Sequence, residues 1–513
     1  MSQRNQLDNF IRIASRSSVL AKIQAKLVGQ KISKKYPNYD IEYHWIKTTG
    51  DLDQRLDISS GTTLGVFTSD ISQRIISSEF DMAIHSWKDY PISDNGKSKI
   101  YGTLKRADMR DVLLLKNKIK NLESLESIQI MTSSPRRRYS LEQNLIDLVP
   151  INFNKINFLD LRGNIDTRLK KFINDQNTDG IVIAKAALDR VIQTDMQEAQ
   201  SLKEIILKCL KESHWIVLPL SSFPTAPGQG AIGIEVSNKN KKIIELVKMV
   251  NNKSVYDNVT EEKLIMSDYG GGCSQKIGVS IWNKNEKMIH SLFGITEANE
   301  RLKAFSIVRS TSEQTMNTKV KKNDVFPKNK EEQNIFERSD VNKNQMLNKL
   351  KSTLIYITRK NVLGNRPVFD ASCILWTSGM KSWRAANNLG YWIHGTSDSM
   401  GETEIESVRT FIGEKFPITK LTFKNDDIPK VKTIDVYELN NPKFPDDMAN
   451  RKEFFWMSTL AFKTALKQYP EIIDKKHACG MGNTYKKLKK IIKREEKLDC
   501  YLSYESWFNN LQD

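Results

Sequence analysis

A cysteine on a glycine-rich turn is the residue of this chain best placed for covalent chemistry. Cys273 follows three glycines at 270–272, so the backbone turns freely and no bulky neighbour covers the sulfur. A thiol presented on such a loop suits attachment of a large group, whereas a packed cysteine is inert. An ordinary free cysteine after a glycine turn has the same local sequence. The many arginines elsewhere in the chain suit an anionic ligand, and they favour the interpretation that Cys273 carries a covalently attached group.

Basic residues recur where strand-like runs lead into helices. The run at 128–131 is followed by Ser134 and Pro135, a serine cap with proline at the first helical position, and then by arginines at 136–138. Free N–H groups and the helix dipole attract anions, and arginine adds bidentate hydrogen bonds to carboxylate or phosphate. Adjacent arginines also occur on ordinary solvated helix faces. Four junctions of this kind in one chain favour anion capture.

Length and composition limit the class of protein. The 513 residues suggest roughly three or four domains. The net charge of +18 fits nucleic acid, a polycarboxylate ligand or a lysine-rich composition, but zinc-finger spacing and aromatic RNA-binding motifs are missing, so no nucleic-acid partner is expected. The five scattered cysteines indicate a reduced compartment and no metal site. No apolar run reaches ~20 residues and no secretion signal is evident, which predicts a cytoplasmic protein without a membrane span.

Strand-like and helix-like runs alternate along the chain, and this pattern predicts α/β domains. The run at 11–14 leads into an amphipathic helix with apolar residues at 20, 23, 27 and 32, and the run at 158–161 leads into a capped helix. Residues 311–350 are rich in Lys, Asn, Glu, Ser and Thr and have few aromatic side chains. They predict a solvated linker.

Several motifs together resemble one enzyme family. They include Ala-Ile-His-Ser-Trp-Lys-Asp at 83–89, Thr-Ser-Ser-Pro-Arg-Arg at 132–137, Leu-Arg-Gly-Asn at 161–164 and Gly-Gly-Cys at 271–273. Taken in order over about residues 10–310, they are similar to hydroxymethylbilane synthase, also called porphobilinogen deaminase. The resemblance implies two α/β domains of the periplasmic-binding-protein type and a small α+β domain that carries the cysteine. The boundaries expected are 9–105 with 222–240, 106–221 and 241–315, with a linker at 316–352.

The resemblance also implies a reaction and a set of site residues. A dipyrromethane cofactor built from the substrate is held by Cys273 through a thioether, and four porphobilinogen units are polymerised into the linear tetrapyrrole hydroxymethylbilane by a monomeric enzyme. Asp89 matches the catalytic aspartate, which moves protons at the reacting pyrrole. The cofactor-binding residues implied are Cys273, Lys88, Ser134, Arg136, Arg137, Arg162 and Arg168. The substrate-binding residues implied in this part are Arg16, Ser18 and Arg190.

Some positions depart from the pattern of that family. Ser60 and Leu64 stand where lysines are usual, Thr49 where an arginine is usual, and Gly270 where an acidic residue is usual. The loop that contains residues 57–65 often closes over the cleft in relatives, so its contacts to substrate are in question. A non-catalytic pyrrole-binding protein on the same scaffold is therefore the alternative to an active enzyme.

The segment 353–513 has motifs of a second kind. Two apolar runs end in Ser or Thr before a helix, and a third run enters a helix through Gly-Met-Gly-Asn-Thr at 480–484. The segment resembles a divergent uroporphyrinogen-III synthase, an α/β enzyme that cyclises the linear tetrapyrrole, and its short length predicts that one of the two lobes of that family is reduced. Ordinary helix capping explains the same pattern, as would a structural or docking domain. The ligand-contact residues expected are Thr377, Ser378, Ser458, Thr459 and Thr484.

Overall fold

The computed structural model describes residues 10–47, 68–92, 96–121, 124–271, 275–308, 320–424 and 432–512. The chain divides into two compact units, which are described separately. The first unit comprises residues 1–146, 151–282 and 291–304, and the second comprises 147–150, 283–290 and 305–513. Across the described ranges, no helix is both long enough and apolar enough to cross a membrane.

The chain up to residue 308 contains thirteen strands and eight helices within the described ranges. The strands are β1 (Phe10–Arg16), β2 (Asp40–Ile46), β3 (Met82–Ser86), β4 (Ser98–Thr103), β5 (Asp111–Lys116), β6 (Ser124–Met131), β7 (Asn152–Leu159), β8 (Gly180–Ala184), β9 (Ser213–Val217), β10 (Ile232–Ser237), β11 (Gly278–Lys284), β12 (Lys287–Ile295) and β13 (Arg301–Val308). The helices are α1 (Val19–Lys35), α2 (Ser69–Ile76), α3 (Pro135–Asn144), α4 (Ile165–Asn174), α5 (Lys185–Gln193), α6 (Gln200–Glu212), α7 (Lys241–Val250) and α8 (Lys253–Asp268).

Two five-stranded sheets have the same internal order. The first is β2-β1-β3-β10-β4 and the second is β7-β6-β8-β5-β9. In each sheet the first three strands are parallel, and the fourth runs antiparallel to both neighbours. The antiparallel strands are β5 and β10, the first strands after the chain crosses from one sheet to the other. The predicted α/β class is confirmed, and the chain crosses twice between the two sheets.

Helix α7 belongs to the core of the first domain. Its apolar residues, among them Ile243, Val247 and Val250, pack with Ile13 of β1 and Val28 of α1. The sequence places residues 241–250 at the start of a third domain, so the structure moves this boundary to the end of α7. The reason is the apolar face of α7, which covers the sheet rather than the residues that follow it. Helix α8 and the three-stranded sheet β11-β12-β13 then follow.

The remainder of the chain contains ten strands and six helices within the described ranges. The strands are β14 (Val325–Phe326), β15 (Glu337–Asp340), β16 (Leu354–Ile357), β17 (Ile374–Thr377), β18 (Gly395–Thr396), β19 (Ile418–Phe423), β20 (Lys432–Asn440), β21 (Glu453–Trp456), β22 (Lys476–Gly480) and β23 (Leu498–Tyr501). The helices are α9 (Asn344–Leu347), α10 (Met380–Asn388), α11 (Arg409–Ile412), α12 (Thr459–Gln468), α13 (Asn483–Ile492) and α14 (Tyr504–Phe508).

These strands form two further sheets. One has six strands in the order β15-β20-β19-β16-β17-β18, and the other has four parallel strands in the order β14-β21-β22-β23. The C-terminal part therefore has two α/β lobes, so neither lobe is missing, and the expected reduction of one lobe stays a prediction. Strands β14 and β15 lie inside the stretch predicted as a linker, and each pairs at the edge of a sheet. Such short edge strands have no long apolar pattern, so composition alone predicts a linker here.

Candidate active site

The turn that carries Asp89 presents its carboxylate to solvent. Strand β3 ends at Ser86, and Trp87–Asp89 form a single 3-10 turn. Trp87 is buried against Ile100 and Val259, whereas the side chain of Asp89 is exposed. The inward tryptophan anchors the turn, and the carboxylate two residues later remains accessible to a ligand.

Tyr90, the next residue, is held at three points. Its N–H donates to the carbonyl of Trp87 at 3.2 Å, and its hydroxyl donates to Glu235 at 3.2 Å. Its carbonyl accepts a hydrogen bond of 2.8 Å from the Nζ of Lys263 on α8. The backbone beside Asp89 is therefore fixed both by its own domain and by α8.

Glu235 is a buried carboxylate that supports this turn from below. Besides Tyr90, it accepts hydrogen bonds from Ser72 at 3.0 Å and Ser98 at 2.6 Å, and it pairs with His85 at 2.8 Å. Burial by itself raises the pKa of a carboxyl group, but the hydrogen bond and charge of His85 and the two serine hydroxyls outweigh it and lower the pKa of Glu235. Glu235 therefore stays ionised, and both of its carboxylate oxygens accept hydrogen bonds.

Lys88 is surrounded by charges from both domains. Lys88 is half-buried, and burial lowers its pKa. The positive charges of Arg137 and Arg168 lower this pKa further, whereas the negative charges of Asp89 and Asp111 raise it. All four of these groups thus lie within electrostatic reach of Lys88. The structure brings together four of the residues predicted from the sequence, namely Lys88, Asp89, Arg137 and Arg168, and adds Asp111 to them.

Asp111, at the start of β5, is a residue that the sequence interpretation did not assign to the site. It accepts hydrogen bonds from the Nη2 of Arg136 at 2.9 Å and from the Nε and Nη2 of Arg137 at 3.1 and 2.7 Å. The Nε2 of Gln229 donates to the same carboxylate at 2.9 Å. Burial opposes its charge, but the charges of Arg137 and Arg136 prevail and hold the pKa of Asp111 well below its usual range. The sequence around it, Arg-Ala-Asp-Met-Arg-Asp at 106–111, combines acidic and basic residues but does not indicate this role.

The two neighbouring arginines of α3 have different surroundings. Arg136 is buried and also donates to the carbonyl of Pro224 at 2.9 Å, whereas Arg137 is only half-buried and also donates to the carbonyl of Val182 at 3.3 Å. Ser134 caps α3 by accepting from the N–H of Arg137 at 3.4 Å. Both arginines are ion-paired with Asp111, and their contacts with a cofactor remain predictions.

The other predicted arginines lie at strand and helix ends. Arg168 donates to the carbonyl of Gly163 at 2.7 Å, and burial together with Arg137 lowers its pKa. Arg162 is exposed. Arg190 is buried and donates to the carbonyl of Gly230 at 2.8 Å, and burial lowers its pKa to about 10. Arg190 thereby links α5 to the segment before β10, where the chain returns to the first sheet.

Residues at the N-terminal end of α1 complete the predicted set in this part of the chain. Ser18 is the N-cap of α1 and accepts from the N–H of Ala21 at 3.4 Å. Arg16, the last residue of β1, is half-exposed. Cys273 lies outside the described residues, as do Thr49, Ser60 and Leu64. Their predicted roles stay predictions.

A hydrogen-bonded chain joins α8 to Asp111 through the crossover segments. Glu262 of α8 pairs with Arg106 at 2.7 and 2.9 Å. Arg106 donates to the carbonyl of Gln229 at 2.9 Å, and Gln229 bonds to Asp111. Glu262 also accepts from the N–H of Gly228 at 2.8 Å, where the backbone has a positive φ of 77°. The crossovers between the two sheets are thus fastened to α8.

The residues predicted to contact a ligand in the C-terminal part differ in solvent exposure. Thr377 is fully buried, and its hydroxyl has no hydrogen-bond partner among the residues that the structure describes. Ser378 donates to the carbonyl of Thr358 at 2.6 Å and is half-exposed. Ser458 caps α12 by accepting from Ala461 at 3.1 Å. Thr459 and Thr484 lie half-exposed in the first turns of α12 and α13.

Loop 397–401 links some of these residues. The N–H of Ser399 donates to the carbonyl of Ser378 at 2.9 Å. A Cβ on Gly401, which has a φ of 98°, would lie 3.0 Å from the Cα of Gly482. Only glycine tolerates both this φ and this approach. The loop after β18 therefore contacts both the turn after β17 and the start of α13. Ser378 and Thr484 thus belong to two segments that contact the same loop.

Comparison with known proteins identifies the family of the first part. Residues 11–245 match the family described as "Porphobilinogen deaminase, dipyromethane cofactor binding domain". A probable porphobilinogen deaminase of Picrophilus torridus is 36% identical over 269 residues, which are 52% of this chain and 84% of that protein. The chain belongs to the porphobilinogen deaminase family. The porphobilinogen deaminase of Caldicellulosiruptor saccharolyticus is 31% identical over 295 residues, 57% of this chain and 91% of that protein. Both relatives cover about half of the chain.

Solved structures of binding proteins also align with about half of this chain. The Bordetella pertussis BvgS periplasmic VFT2 domain has a TM-score of 0.27 and 10% identity, with 51% of this chain and 94% of that chain covered. A structure from work on glutathione import through GshT and TcyBC of Streptococcus mutans has a TM-score of 0.26 and 12% identity, with 52% and 97% covered. At these TM-scores the likeness carries no argument.

Proposed function

We propose that residues 10–308 form a porphobilinogen deaminase that polymerises four porphobilinogen units on a dipyrromethane primer attached to Cys273. The observation that carries the proposal is the exposed carboxylate of Asp89, set beside Lys88, Arg137 and Arg168 in a chain of this family. An accessible acid next to several cations suits proton transfer on a substrate that carries carboxylates.

The charges around Lys88 fit such a primer. Burial lowers the pKa of Lys88, and the positive charges of Arg137 and Arg168 lower it further. Asp111 is already paired with Arg136 and Arg137, so the cluster has an excess of positive charge. Each pyrrole of a dipyrromethane carries two carboxylates, which would neutralise this excess. Charge-assisted hydrogen bonds of about 1.5–3 kcal/mol each would hold them.

The residues of this chain divide the chemical tasks. When bound, the dipyrromethane supplies the free pyrrole end that receives each unit as ammonia is lost. The carboxyl group of Asp89 donates a proton to the leaving amine and then, as carboxylate, stabilises positive charge on the pyrrole nitrogen. Lys88, Arg137 and Arg168 bind side-chain carboxylates and orient the ring. Tyr90 keeps the turn in place while the ligand grows.

The C-terminal part is proposed to act next, as a uroporphyrinogen-III synthase that cyclises the linear product. The supporting observation is the loop at 397–401, which joins the turn of Ser378 to the start of the helix that contains Thr484. Hydroxyls and free N–H groups at such ends suit carboxylate ligands. The alternative, a structural or docking domain, needs no ligand at this loop.

Two measurements test the proposal. The intact mass of the purified chain should exceed the sequence mass by two linked pyrroles, and Cys273→Ser should remove this increment. Incubation with porphobilinogen should then give mostly the type III macrocycle. An unmodified thiol after exposure to porphobilinogen contradicts the deaminase and favours a binding protein. Mostly type I product, which forms spontaneously, contradicts the cyclase and leaves the docking alternative.

A further inference from the structure

One face of α8 lies against the turn that carries Asp89. The ring of Tyr256 lies 5.2 Å from that of Trp87 between centroids, and its hydroxyl donates to the carbonyl of Ile100 at 2.9 Å. Val259 packs into the same apolar cluster. Lys263 is four residues after Val259, so it lies on the same face of the helix, one turn further along.

Lys263 places a buried ammonium at the backbone of this turn. Its residue is largely buried, and its Nζ donates to the carbonyl of Tyr90 at 2.8 Å. A charged donor forms a stronger hydrogen bond than a neutral one, and burial of its charge is costly unless the contact is made. The carbonyl belongs to the residue directly after Asp89. The contact therefore fixes the peptide next to the proposed proton donor, at a point that the hydrogen bonds of Glu235 do not reach.

We propose that Lys263 is a positioning residue for the deaminase reaction, which holds the Asp89 turn in the geometry required for proton transfer. The inference rests on the proposed function, because it assigns a role to the turn that carries the catalytic acid. Lys263 acts through Tyr90 and does not touch the substrate. Misplacement of a catalytic group by about 1 Å costs on the order of 100-fold in rate, and this sets the scale of the expected effect.

The test compares Lys263→Met with Lys263→Arg and with the matched control Lys253→Met. Lys253 is on the same helix, and its side chain is 84% exposed in a surface pair with Asp257. In the full chain with porphobilinogen, Lys263→Met should lower kcat by about 10- to 100-fold, with KM nearly unchanged. Lys263→Arg keeps the charge and the donors and should recover most of the rate, and Lys253→Met should match the unchanged chain.

Two further readouts separate positioning from stability. Lys263→Met should still gain the mass of two pyrroles and should melt close to the unchanged chain. In an Asp89→Asn background, Lys263→Met should cause no additional loss of rate, because both changes affect one proton-transfer step.

The possible outcomes separate the inference from the proposed function. If the unchanged chain does not turn over porphobilinogen, the proposed function fails and the inference falls with it. If the unchanged chain is active and Lys263→Met has the same kcat, only the inference is overturned. A fall in kcat that is matched by a large fall in melting temperature, or that is fully additive with Asp89→Asn, also overturns it.

Discussion

Asp111→Asn is expected to destabilise the first unit far more than the same substitution at an exposed aspartate. The carboxylate is 1% exposed and accepts from two arginines and Gln229. Asparagine keeps the shape but replaces one acceptor by a donor, which then faces guanidinium donors. Removal of one partner from a buried pair costs ~3–5 kcal/mol, because the other charge is left uncompensated.

Asp160→Asn is the matched control for this change. Asp160 pairs with Arg138 at 2.6 Å, on the same helix as Arg136 and Arg137, but its side chain is 77% exposed. An exposed pair contributes only ~0–1 kcal/mol to the free energy of unfolding. The two substitutions are chemically identical, but Asp111 is buried with three side-chain partners and Asp160 is exposed with Arg138 as its ion-pair partner.

Urea denaturation of the full chain, followed by far-ultraviolet circular dichroism, measures the difference. With two units, the curve is fitted as two transitions. Asp111→Asn should lower one midpoint by about 1.5–2.5 M at a slope of about 2 kcal/mol/M, while Asp160→Asn should leave both midpoints within error. Equal shifts for the two variants would refute the assignment of a buried ion pair to Asp111.

The pH dependence of the same variant has a definite sign. The pKa of Asp111 in the folded chain lies below its unfolded value, which is about 4 for aspartate. Its stabilising contribution is therefore complete above about pH 4 and declines as the pH falls toward the folded pKa. The difference in stability between the unchanged chain and Asp111→Asn should shrink below about pH 4. A difference that instead grows with acid would contradict the ion pair.

Three other changes follow from the structure. Asp89→Asn should leave folding intact, because the side chain is exposed, and should lower kcat by orders of magnitude; a near-normal rate removes Asp89 from the mechanism. Arg137→Leu should impair assembly of the primer, measured by intact mass, and a fully assembled primer counts against the ligand contact. Burial lowers the pKa of His477 to about 4, and its Nδ1 accepts from Trp456 at 3.0 Å. Because the unfolded pKa is higher, near 6.5, protonation favours unfolding, so stability is full above about pH 6.5 and declines toward pH 4. His477→Asn should flatten this decline in urea midpoints, and an unchanged slope would exclude His477 as its cause.

The chemical identity of the first part was predictable from short motifs. The stretch 83–89 combines a buried strand with a tryptophan that anchors a turn, and both features are local. Helix α3 likewise begins where Ser134 and Pro135 predict, because capping depends on the nearest four residues. Family membership and the types of residue at 83–89 and 134–137 were therefore accessible before any tertiary contact was known, while the role of Asp89 stays a prediction.

Other features depend on residues that are distant in the chain. Asp111 and Gln229 are 118 positions apart and meet only when the second crossover returns to the first sheet. Helix α7 has an apolar face that any neighbour could cover, and only the packed sheet shows that the first domain covers it. The edge strands β14 and β15 are stabilised by their partners rather than by their own sequence.

The sequence by itself determined the types of side chain available for chemistry and the local structures that carry them, because turns and caps depend on short-range preferences. Tertiary structure decided which side chains remain accessible. Thr377 is buried while its neighbour Ser378 is half-exposed, and the side chain of Asp111 is 1% exposed while that of Asp160 is 77% exposed. Burial and charge pairing are set by elements far apart in the chain, and they determine whether a polar residue supports the fold or meets a ligand.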